Sequence, residues 1–168
     1  MAREAITPED RHDAARLALA GIANGGDVDE LVAAMARLRR RHTVFPGDVV
    51  IELAADALDE AGFSRDAPLE FADIRERFLP EIEFRGNTDH QKSHYALRAA
   101  AMIHGGVKPD LAGDVGWWRA EDFYAFAFYA LLICLRAAAD RTGESVPKLV
   151  DRIGSKRGID LAERAETP

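Results

Sequence analysis

The sequence predicts an all-α protein: a single compact helical bundle of about six to seven helices with a central hydrophobic helix near 118–141. Three observations predict it. Apolar residues recur at three- and four-residue spacing. Helix caps and glycine stops punctuate these stretches. From Phe123 to Leu135 the chain is apolar almost without interruption, as a helix wrapped on every side must be.

The elements follow in order. Thr7, Pro8 and Asp10 supply an N-cap, a proline at the first helical position and an acidic third residue. The first helix then runs to about Ala23 and stops at Asn24-Gly25-Gly26. Asp27 and Glu30 repeat the capping pattern ahead of Val28, Leu31, Val32, Met35 and Leu38, the apolar face of a second helix. Thr43-Val44-Phe45-Pro46-Gly47 interrupts the pattern. A third helix, about Gly47 to Ala61, carries Val50, Leu53, Ala54, Ala57 and Leu58 on one side and ends at Gly62.

A fourth helix is expected from about Ala67 to Phe78, between Asp66 and Pro80. Glu81 to Phe84 alternates like a strand but has no partner run, and reads as a loop. Thr88 and Gln91 form a capping box for a fifth helix that reaches His104 before Gly105-Gly106. Residues 107–116 read as a loop. The sixth helix, about Trp118 to Arg141, has Glu121 and Asp122 at its positive dipole end. The last, about Ser145 to Ile153, packs through Val146, Leu149, Val150 and Ile153. Beyond Gly154 the chain turns polar, so residues 1–155 read as one domain and 156–168 as a tail expected to fray.

A chain of 168 residues fills one core rather than two. Its net charge of -7 disfavours general attraction to phosphate backbones or anionic membranes. The lone cysteine, Cys134, excludes an internal disulfide and a Cys-rich metal site, and its apolar surroundings mark a buried thiol. Met1 to Thr7 is short and mixed and gives no secretory signal. The apolar run 123–135 falls short of the roughly 20 residues of a membrane span. The expectation is a cytoplasmic protein with no membrane partner.

The fifth helix holds the unusual residues. His90, His94, Leu97, Ala101 and His104 share one face, and His90 and His94 stand one turn apart, close enough to share a divalent transition metal. A third ligand would have to come from elsewhere, from His12 or His42. The structural alternative is that these histidines edge an interface. With His90, His94, Gly105, Gly106, Pro109 and Asp110, the stretch resembles the metal-binding helix of the DinB-like four-helix proteins. That resemblance implies a His90/His94 metal site. It covers about twenty residues, and the pair lies mid-chain here with two more helices after it.

Arg98 and His104 suggest a different chemistry. Arg98-Ala-Ala-Ala-Met-Ile-His104 is similar to the arginine-histidine spacing of HEPN-type ribonucleases, as is Arg85 to His90. The likeness implies His104 as proton shuttle for a ribose 2′-hydroxyl and Arg98 as support for the phosphate. Ala99 departs from the polar residue usual after that arginine. Histidine in a last helical turn also has a plain role at the negative dipole end.

Two basic clusters complete the survey: Arg37, Arg39, Arg40, Arg41 and His42 at the end of the second helix, and Lys148, Arg152, Lys156 and Arg157 near the C-terminus. Either could meet nucleic acid or an acidic partner, but on an acidic chain they read first as solvated helix ends. Glu9 and His12 give one E-x-x-H where a carboxylate-bridged di-iron bundle needs two. Trp117-Trp118 reads as a core lid, or, if exposed, as a partner hot spot. The expectation is a non-catalytic helical module that binds protein, a homodimer included. A metal-binding protein and a ribonuclease are the alternatives.

Overall fold

A computed structural model of the chain describes residues 7–25, 27–39, 47–64, 87–110 and 120–161. These form six helices and no strand: α1 (Pro8–Ala23), α2 (Val28–Arg39), α3 (Gly47–Glu60), α4 (Asn87–His104), α5 (Ala120–Thr142) and α6 (Val146–Lys156). The protein is all-α, as its periodicity predicts. The expected helix over 67–78, the 81–84 segment, His42, Trp117 and Trp118 lie outside the described residues.

Local chemistry sets the helix ends. At the start of α1 the Thr7 N–H donates to Asp10 Oδ2 (2.9 Å) and the Asp10 N–H to Thr7 Oγ1 (3.1 Å), a reciprocal capping box. Ahead of α2, Asp27 Oδ1 accepts from the Glu30 N–H at 2.8 Å. Helix α4 begins at Asn87, so Thr88 stands inside its first turn rather than before it.

The C-terminal helix departs from expectation. It continues through Gly154 to Lys156, and the turn belongs to Gly158, whose φ of 71° suits only glycine. Ile159 N–H closes that turn on the Gly154 carbonyl at 2.8 Å, and the Ile159 side chain is buried. Within 156–161, Ile159 is thus packed on the core and Arg157 and Leu161 are half-buried, while Lys156, Gly158 and Asp160 are exposed. Gly154 is tightly packed: a Cβ there would lie 3.3 Å from the Ile159 carbonyl oxygen.

Helix α5 is the centre of the bundle. Phe123 to Leu131 are all buried, as are Ile133, Cys134, Leu135, Ala137 and Ala138. It packs on α3 and α4 above all, then on α2 and α6, while α1 covers α3, α6 and α2. By length and composition Asp122–Thr142 could cross a membrane, yet 78% of its apolar window is buried by the rest of the fold. Its neighbours do what lipid would do for a spanning helix.

The ends of three helices meet. Gly47 opens α3 against the rings of Phe123 and Tyr124 near the start of α5. At the far end, Arg141 in the last turn of α5 lies 4.4 Å above the Phe63 ring, just beyond α3. Helices α3 and α5 therefore run the same way. His104, the last residue of α4, reaches the same end.

Candidate functional site

His104 is built into that end as a tie between helices. Its side chain is 1% exposed and its Nδ1 stands 2.9 Å from Asp59 Oδ1 in the last turn of α3. The approach has the distance of an ion pair without the alignment of a hydrogen bond. Nε2 lies 3.1 Å from the Phe63 carbonyl oxygen, which can only accept, so Nε2 carries a hydrogen and donates it. Both nitrogens thus face groups of this chain. A substrate hydroxyl would have to displace one of them.

Arg98 does not join it. Its side chain is exposed. Six helical residues also turn it about 120° from His104, with about 9 Å of rise between them. The two residues of the ribonuclease pattern therefore face different surroundings, one solvent and one core.

Of the metal candidates, the side chains of His94 and His12 are described. His94 is half-buried on α4. His90 belongs to the same helix, but its side chain lies outside the described residues. His12 turns toward its own helix, with Nε2 3.0 Å from Arg16 Nη2. Arginine only donates, so that contact takes the lone pair a metal ion would need. Among the described residues no group of three or more His, Cys, Asp or Glu side chains could hold a metal ion.

The largest polar assembly among the described residues was not singled out by motif. Helix α3 carries Asp48, Glu52, Asp56 and Glu60 at four-residue intervals, which places them along one stripe. Arg11 of α1 reaches across to Asp48 Oδ2 (2.8 Å) and Glu52 Oε1 (2.6 Å). From the other side, Arg157 pairs with Asp56 and lies 3.8 Å from Glu52. Arg152 binds Glu60 at 3.1 Å and also Glu144, and Lys156 binds Glu60. Three of the four cations of the C-terminal basic cluster are thus spent on α3. Burial works to raise the Glu60 carboxyl, but hydrogen bonds from Lys156 and Arg152 outweigh it and hold the group below its usual range.

No family model, curated protein or solved structure matches the chain. The remaining features offer little chemistry. Cys134 is wholly buried, and burial pushes its thiol far up, away from the thiolate a nucleophile requires. An open hollow at the end of α6 is lined by Asp151, Ser155, Gly158, Ile159, Asp160 and Leu161. Of the first basic cluster, Arg37 is exposed, and the side chains of 39–42 lie outside the described residues. The stripe on α3 had one sequence signal, four acids at four-residue spacing in a helix without a base.

Proposed function

We propose that the chain is a non-catalytic helical module that binds protein, with a second copy of itself as the partner. One observation carries this reading: His104 and the largest described group of ion pairs serve to join helices. His104 ties α4 to α3, and Arg11, Arg152, Lys156 and Arg157 tie α1 and α6 to it. A fold that invests its charges this way gives a scaffold whose outer surface is left for recognition.

Light scattering on tag-free protein is expected to give twice the monomer mass of 18.5 kDa. Stoichiometric transition metal in the same preparation would overturn the reading in favour of a His90/His94 site. So would RNA cleavage that disappears in Arg98→Ala, a variant chosen because that side chain is exposed and its loss spares the core.

A further inference from the structure

The contact between α6 and α3 has an unusual division of labour. Helix α6 and its closing turn bring four cations, Lys148, Arg152, Lys156 and Arg157, against one acid, Asp151. Helix α3 carries no base and meets three of these cations, Arg152, Lys156 and Arg157, with Glu52, Asp56 and Glu60, while its Asp48 faces Arg11 and its Asp59 faces His104. Glu60, the last residue of α3, has a side chain only 6% exposed, while Lys156 and Arg152 around it remain in touch with solvent. Its apolar face, Leu149, Val150 and Ile153, with Ile159 beyond the turn, is buried, and helix α6 packs on α1 and α5 as well as on α3. A connection of three residues, Gly143 to Ser145, joins α6 to α5, and Gly143 takes the positive φ of 76° that turns the chain back.

We propose that α6 is an exchangeable strap, and that its seat on α3 also takes α6 from a second copy of the chain. Emptying the seat leaves acids one turn apart on α3 with Arg11 as their remaining described cation, an arrangement that repels itself and attracts a basic amphipathic helix. The segment that fits is already known, because the chain itself supplies it. Two copies exchanging an identical element form a dimer at little cost in new contacts. Half-exposed pairs are screened by salt, so the strap loosens as ionic strength rises.

The proposal gives the interaction reading above a particular surface, and it fails separately from that reading. Hydrogen exchange on the full chain reads the strap directly. Amides of 146–156 are expected to exchange about tenfold faster in about 1 M than in about 0.01 M sodium chloride, with α3 and α5 unchanged. Exchange that ignores salt, or that rises together with α3 and α5, overturns the strap.

The seat is read with a labelled peptide of residues 144–161 added at low salt to full chain carrying R152Q and K156Q. It should bind this loosened protein at least about tenfold tighter than wild type, and a peptide with R152Q, K156Q and R157Q should not bind. No binding to a loosened protein whose core exchange matches wild type overturns the exchange. Should that variant fail to fold, R157Q alone serves in its place. Metal or turnover found in the earlier assays would remove the interaction reading while leaving the strap measurement standing.

Discussion

Gly47 shows how much of this fold is decided by single atoms. A Cβ built there would lie 2.6 Å from Phe123 Cε1 and 2.9 Å from Tyr124 Cδ1, both on buried rings that have no room to retreat. Gly47→Ala is expected to destabilise by about 1–3 kcal/mol, outweighing alanine's helical advantage of at most about 1 kcal/mol. Gly21 is the control. Its Cβ would collide with Leu31 Cδ2, the free end of a flexible side chain. Gly21→Ala should therefore cost less, and urea denaturation of the two variants orders them; the reverse order would mean that the ring contacts are softer than their burial implies. Cys134 makes a second case. Its thiol is held neutral in the fold, well above the ordinary value of 9.0, by burial alone. The unfolded thiol loses its proton first as pH rises, so the stability this group contributes is complete below about pH 9 and falls above it. The slope is up to about 1.4 kcal/mol per pH unit. Stability measured at pH 8 to about 10 should fall more steeply in wild type than in Cys134→Ala, and equal slopes would remove the argument.

Among elements, α6 on α3 is the contact whose electrostatics can be titrated. The Glu60 carboxyl is held below 4.5 in the fold, so its stabilisation is present above that value and disappears as pH falls through the depressed one. Glu60→Gln should cost about 1–2 kcal/mol near neutrality, because the charge-assisted bonds to Lys156 and Arg152 weaken together. The gap between wild type and variant should close below about pH 4, as followed by thermal unfolding. A constant gap down to pH 3 would assign the cost to packing. This contact also marks what the sequence could reveal. Helix starts such as Thr7–Asp10 and stops such as Gly62 were legible because their hydrogen bonds span only a few residues. The end of α6 was misplaced because two glycines compete there, and packing, which is not local, keeps Gly154 helical and gives the turn to Gly158. The acidic stripe was legible as spacing, but its partners were not: Arg152, Lys156 and Arg157 meet it from about a hundred residues away, and no periodicity encodes that distance. The same holds for His104, which was legible as a helix-end histidine while its neighbours Asp59 and Phe63 were not.

For the molecule as a whole, the central question is what covers α5. A helix with Phe123 to Leu131 buried on all sides cannot face water, and two environments can hide it. In a bilayer the apolar atoms would face lipid, and the other helices would be free to differ in charge and number. Here the cover is protein: α3, α4, α2 and α6 pack on α5 through their own apolar faces and turn residues such as Arg37, Arg98 and Lys148 outward. Burial of this kind stabilises at about 25 cal/mol for each Å² removed from water, so the covering helices and the rod hold one another in place. Among the described residues, Val107, 54% exposed, is the one large apolar side chain left open. The full chain is therefore expected in the aqueous phase when a detergent solution is warmed through its cloud point. Recovery in the detergent-rich phase would show that the cover opens. Adding about 1 M salt tests whether α6 is the part that yields, since a loosened strap should move a fraction of the protein toward detergent while R157Q moves more at the same salt.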